Sequence, residues 1–391
     1  MARILLTLLA VVFALLAILF QIYLSPLLKT LGIFRTVETF GLDAAKCKKI
    51  PELQACEKLV LHQPSGIIYL ACSTPESRLA WTPAMSQLNA QGRSTGDYIA
   101  TFDPVTLKIK HLRLENYTSD QPLSVHGMDV VVSTFNPKEL FVYVVNHRAP
   151  SNGQDARNVG ADSVIEVFKT TVSGDRLTHI KTVRDSVILT PNDVAGDADG
   201  KGFFFTNDHG SKIAHARLLR NAFSATTSVG YCHLDRGCKI VASGLHANNG
   251  IAKTNTNDTV YVASNLGGKI SVFERQVDNS LVLLDVVYVG QVLDNLSLDN
   301  EGNLWAAAFP KAQDIVEHLT KNPHHLSPVA GFRISTNIGL GSFYGEKYNV
   351  EKVFEDNGTI VSGSTSIVYD SERNLLFAHG VAAQELVMCR I

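Results

Sequence analysis

The sequence predicts an all-β fold, a six-bladed β-propeller behind an N-terminal apolar helix, and three observations carry that prediction. A polar opening recurs six times, as Cys56-Glu57, His126-Gly127-Met128, Asn192-Asp193, Asn248-Asn249-Gly250, Asp294-Asn295 and Ser364-Thr365. Each opening leads to a polar turn, such as Asn136-Pro137-Lys138 or Asp299-Asn300-Glu301-Gly302, and then to an apolar run at 67–71, 140–145, 203–206, 260–263, 304–308 or 375–378. A further strand-like segment follows, as at 98–102, 164–168, 270–273 and 386–389. Self-similarity at a spacing of roughly 40–70 residues, built from short strands and turns, marks propeller blades. A chain of 391 residues, 45% of them apolar, fills one such domain with a full core.

Taken in order, the elements begin with an uncharged run at 4–24 that only Thr7 and Gln21 interrupt. It is long enough to span a bilayer as a helix and longer than the apolar stretch of an ordinary signal peptide. No small-x-small cleavage site follows, since Ser25-Pro26 and Lys29 come next. The expectation is an uncleaved signal anchor over 1–28, a linker and entry segment over 29–52 and a propeller over 53–391, with a cleaved signal peptide as the alternative. Arg3 on one side and Lys29 and Arg35 on the other leave the positive-inside rule undecided. Cysteine usage speaks instead: six residues, an even number, in a chain entering the secretory pathway permit disulfides. Cys232 and Cys238 are close enough to clip a loop, Cys56 and Cys72 flank the first hairpin, and Cys47 and Cys389 lie near the two ends of the folded part. Four N-x-S/T sequons, at Asn116, Asn257, Asn295 and Asn357, agree with a lumenal or extracellular body, membrane-anchored or secreted. A glycan has no room at Asn295, inside the proposed site. A formal net charge of -2 without a basic stripe argues against nucleic acid and leaves a small molecule as the expected partner; the chain is expected to be a monomer.

The blade openings carry the chemistry. In a propeller the first strand of every blade lines the central channel, so the six strand starts meet at one end. Glu57, His126, Asn192, Asp193, Asn249, Asp294 and Asn295 then converge from most of the chain. A ring of carboxylate and carboxamide oxygens is what calcium prefers. The plainer reading is that Asn and Asp merely make turns before strands. Recurrence at the same place in successive units favours the ring. His126 opens an inner strand and precedes Gly127, which permits close backbone approach; His147, after an apolar strand, reads equally as a hydrogen-bonded core histidine. Serine-hydrolase chemistry is disfavoured, because Gly363-Ser364-Thr365 lacks the G-x-S-x-G elbow.

Seven motifs in this order resemble the paraoxonase/arylesterase family of calcium-dependent six-bladed propellers. They are Ser124-Val125-His126-Gly127-Met128, Val144-Val145-Asn146-His147, Thr190-Pro191-Asn192-Asp193-Val194, Thr206-Asn207-Asp208-His209, Asn249-Gly250-Ile251, Val292-Leu293-Asp294-Asn295 and Asn357-Gly358-Thr359 with its continuation to Thr365. The resemblance implies a catalytic calcium on Asn192, Asn249, Asp294 and Asn295. It implies a second, structural calcium on Asp193 and the carbonyl of Met128. It further implies His126 as general base with His147 behind it, Asp208 and His209 at the pocket wall, and a Cys47–Cys389 bridge. One departure stands out. Where the family has a Glu-Asp pair at the first inner strand, this chain has Cys56-Glu57, which by that alignment removes a carboxylate from the catalytic ion and leaves Glu57 to serve either one. Fewer anionic ligands mean weaker calcium, and a bridged Cys56 is no ligand at all. The expected activity is calcium-dependent hydrolysis of esters or lactones. The rivals are a strictosidine-synthase-like or gluconolactonase-like propeller and a non-enzymatic calcium-bound propeller that binds a ligand or partner.

Overall fold

The computed structural model describes residues 2–151, 153–213, 221, 223–254 and 258–391. Six antiparallel sheets, each with a four-stranded meander, follow one another around a channel. Blade 1 runs Lys58–His62, Ile67–Cys72, Tyr98–Asp103, Lys108–His111, and blade 3 runs Pro191–Gly196, Gly202–Asn207, Thr227–His233, Gly237–Leu245. Blade 4 begins at Asn248–Lys253 and blade 5 at Val292–Leu298. Blade 2, starting at Val125–Val132, gains a fifth strand when Arg113–Glu115 joins Arg176–Val183 in parallel. The second strands read as near-continuous apolar runs because neighbouring blades cover both faces: Gly202–Asn207 and Leu304–Phe309 are buried throughout.

Blade 6 corrects one boundary. Its strands Ser366–Asp370, Leu375–His379 and Leu386–Arg390 are completed by Cys47–Ile50, so the propeller begins inside the stretch assigned as linker and entry segment. Cys47 pairs with Cys389 in register and the two are disulfide-bonded, welding the first and last strands across 342 residues. Cys232–Cys238 closes the hairpin between the outer strands of blade 3, and Cys56–Cys72 ties the entry of blade 1 to its second strand.

The N-terminal helix runs from Ala2 through Thr30, with one widened turn at Phe20–Leu24, two residues past the predicted anchor. Its residues 3–30 are long and apolar enough to cross a membrane. The helix is not a free tail. Arg35 donates to the carbonyls of Lys29, Gly290 and Pro310, and Ala312 N donates to Leu31 O, which pins the helix base to the channel mouth. Asn116 and Asn357 are exposed, Asn295 is buried, and Asn257 lies outside the described residues.

Candidate functional site

All six strand starts deliver polar groups to one mouth of the channel, as the recurrence predicts. Two backbone contacts hold them close. A Cβ at Gly127 would sit 2.3 Å from Asn192 O and 2.8 Å from Asp193 Oδ1, so only glycine lets blade 2 lie against blade 3 here. At Gly250, a Cβ would lie 2.6 Å from Asn295 Cα, and the same argument joins blades 4 and 5. Between these seams, Asn295 Nδ2 donates to Glu57 Oε1 at 2.6 Å and to Glu57 O at 3.2 Å. Thr365 of blade 6 closes the circle, donating its hydroxyl to Glu57 O at 3.0 Å and accepting Asn295 N at 3.0 Å.

Five buried oxygens around this ring have no hydrogen-bond partner among the described residues: Glu57 Oε2, Asn192 Oδ1, Asp193 Oδ1, Asn249 Oδ1 and Asn295 Oδ1. Buried acceptors are nearly always satisfied, so several unsatisfied ones in one place need an explanation. Asp294 joins them, its carboxyl pushed well up by burial and then by the negative charges of Glu57 and Asp193. Burial likewise raises Glu57 and Asp193. Among the described residues no three His, Cys, Asp or Glu side chains form a metal cluster by themselves. The ring is mixed, with three asparagine oxygens beside the carboxylates, which suits a hard cation that favours neutral and anionic oxygens together.

The first inner strand differs from its expected register by one residue. Cys56 faces away, bonded to Cys72, whereas Glu57 enters the ring beside Asn295. A carboxylate therefore does stand in the ring, beside Asn295. Lys58, not Glu57, faces Asp193, with Nζ 2.5 Å from Asp193 Oδ2. The Met128 side chain is fully buried on the neighbouring strand.

His126 and His147 are both buried and lie with ring centroids 5.1 Å apart. His147 is the penultimate residue of Glu139–Arg148, its Nδ1 2.8 Å from Ser163 Oγ and its carbonyl accepting Trp81 Nε1–H at 2.9 Å. Burial, then the charge of Arg78, pushes the His126 imidazole down from its ordinary 6.5 to about 3. Asp208 and His209 do stand together at the wall, with Oδ1 and Nδ1 2.6 Å apart. Arg78 was missed by sequence reasoning. It belongs to the short helix Pro75–Ala80, is 3% exposed, and donates to Val125 O at 2.6 Å and Ala55 O at 3.3 Å, bracing blades 1 and 2 beneath His126. Its only sequence signal is a helix cap, Thr74-Pro75 with Ser77, inside a loop that otherwise shows no pattern.

Over the ring opens a cavity of about 500 Å³ whose floor holds Glu57, His126, Asn192, Asn249 and Asp294. Its walls are largely apolar: Leu24, Leu27, Leu28 and Leu31 of the N-terminal helix line it together with Ile315 and Leu319 of the helix Ala312–Thr320.

Fold and site together define a class, the six-bladed propellers whose channel mouth carries a buried, oxygen-rich ring. Residues 43–391 match the arylesterase family, and the chain belongs to the paraoxonase/arylesterase family. It is 28% identical over 268 residues to serum paraoxonase/arylesterase 2 of Rattus norvegicus, covering 68% of each chain. To the Bos taurus paraoxonase/arylesterase 2 it is 26% identical over 345 residues, covering 86% of this chain and 87% of that one. Among solved structures it is similar to a luciferin-regenerating enzyme, 14% identical, with 88% of this chain and 94% of that one covered and a TM-score of 0.49.

Proposed function

We propose that this protein is a calcium-dependent hydrolase of lipophilic esters or lactones, held at a membrane by its N-terminal helix. The observation that carries the reading is the set of buried oxygens on Glu57, Asn192, Asn249 and Asn295 that have no hydrogen-bond partner among the described residues, beneath a largely apolar cavity. Glu57, Asn192, Asn249, Asp294 and Asn295 are the residues that would hold the ion. An ion held there would supply Lewis-acid chemistry, polarising a carbonyl and offsetting negative charge that develops on its oxygen.

The chain's own residues supply the rest. His126 is the proposed proton acceptor for the attacking water, and its Nδ1 has no partner among the described residues. Held neutral by burial and by Arg78, it keeps that lone pair available well into acid but is a weak base. His147 is a positioning residue, fixed by Ser163 and Trp81 and packed against the His126 ring. The leucines from the anchor and the helix Ala312–Thr320 exclude water and favour an apolar acyl or ring portion. Three disulfides and an apolar N-terminal helix support a lumenal or extracellular site for this work.

The test is hydrolysis of phenyl acetate and a panel of lactones of rising chain length, with and without chelator. His126→Gln should lower turnover by about 10²-fold, the low end for a general base, with calcium content unchanged. Full activity in chelator, or in His126→Gln, overturns the mechanism. The apolar cavity over the ring favours one second reading, a calcium-bound propeller that binds an apolar ligand without cleaving it. Chelation that lowers thermal stability, together with no turnover of any ester or lactone at saturating calcium, would select it.

A further inference from the structure

The relatives' pattern leads one to expect a second, structural ion on Asp193 and the Met128 carbonyl. The residues present do not fit it. Asp193 is fully buried; its Oδ1 has no partner among the described residues, but its Oδ2 accepts Lys58 Nζ at 2.5 Å and Ile251 N at 3.0 Å, so its charge is already paired. Lys58 Nζ also donates to Leu296 O at 3.2 Å. Its side chain is only 5% exposed, although it borders the cavity of about 490 Å³ that forms the lower half of the channel. One ammonium therefore bridges blades 1, 3 and 5 through a carboxylate and a carbonyl, the kind of oxygens a structural ion would bridge. A divalent ion on the same carboxylate would meet a full positive charge at hydrogen-bond range.

We propose that Lys58 is a covalently attached substitute for the second cation, so that the protein takes up one divalent ion rather than two. The proposal rests on the reading of the Glu57 ring as a calcium site. A buried carboxylate is stable only when its charge is paired. The lysine meets that need for Asp193 whatever the calcium concentration, and the lower channel then holds its blades together without metal. Only the upper ring, where Glu57 and Asp294 face the substrate cavity, remains to be filled. Chelation should accordingly empty the upper ring and leave the propeller folded.

The experiment counts calcium per chain in the full-length protein in detergent, by elemental analysis after equilibrium dialysis against millimolar calcium. One ion per chain is expected. Two ions would overturn the Lys58 assignment while leaving the calcium reading intact, and none would overturn the calcium reading on which it rests. Lys58→Asp should raise the count from one to two and make unfolding in chelator occur at a much lower temperature than in calcium. A folded Lys58→Asp protein that still holds one ion would also overturn the assignment. The count on the unaltered chain decides the matter even if that variant does not fold.

Discussion

Glu57→Gln separates a metal ring from an ordinary polar core, because the two predict opposite signs. The substitution keeps the side chain's shape and the oxygen that accepts Asn295 Nδ2 at 2.6 Å, and removes the charge. In chelator that charge is a liability: burial raises the Glu57 carboxyl, and Glu57 is the first charge that in turn raises Asp294. Two unit charges at about 4 Å repel by roughly 4 kcal/mol at an effective dielectric of 20, an upper limit since protonation relieves part of it. The variant should thus melt above the parent without calcium. A carboxylate whose folded pKa is raised contributes stability below its unfolded value, near 4.5, and loses it as pH rises through the folded value. The advantage of the variant in chelator should therefore grow from pH 5 to pH 8. With calcium the order reverses. Loss of about 3–4 kcal/mol of attraction weakens binding by about 10²–10³-fold. At a fixed calcium concentration a 10²-fold loss removes about 2.7 kcal/mol of stabilisation, or roughly 5–10 °C at about 2–4 °C per kcal/mol. Thermal melts across a calcium titration at both pH values measure all of this. A variant that melts below the parent in chelator, with an unmoved calcium midpoint, would refute the reasoning.

Three further outcomes follow from the packing. Replacing both Cys47 and Cys389 by Ser should destabilise the chain by about 5 kcal/mol, against about 2 kcal/mol for Cys232 and Cys238, because the first bridge closes 342 residues and the second 6; chemical denaturation of the two double variants compares them. His379 is fully buried, donates through Nε2 to Leu53 O, accepts Gly380 N at Nδ1, and is pushed by burial down to about 4. Its folded value lies below the unfolded one, so stability should fall as pH drops from 6.5 to 4, by at most about 3 kcal/mol, and His379→Gln should flatten that slope in denaturant titrations. Trp81→Phe removes the donor to His147 O and should cut kcat with little change in KM, as expected if His147 positions His126 rather than touching substrate; an unchanged kcat would count against the positioning role.

How much of this was legible in the sequence depended on whether a feature was periodic. The blades were, because strands that alternate with polar turns repeat six times, and the convergence of Asn192, Asn249, Asp294 and Asn295 follows from the architecture alone. Cys47–Ile50 was not, because a single four-residue strand carries no repeat; only Cys47 hinted that the segment reaches the last blade. The first inner strand was harder still. Aligned by its acidic residue, Cys56-Glu57 seemed to have lost a carboxylate. Aligned by where the chain turns, at Ala55 with φ 49°, it is Glu57-Lys58 that enters the channel, and Cys56 stays behind to bond Cys72. Successive residues of a strand point to opposite sides, so a slip of one position exchanges a channel carboxylate for a structural thiol. The same slip hides Lys58, since a lysine beside a glutamate at a strand start reads as a solvated pair. It becomes informative only when Asp193 arrives from a strand 135 residues away to meet it. Charge within the channel is thus a property of the closed ring rather than of any one blade. Glu57, Asp193 and Asp294 with Lys58 leave the ring short of about two positive charges, which is the charge of one divalent cation.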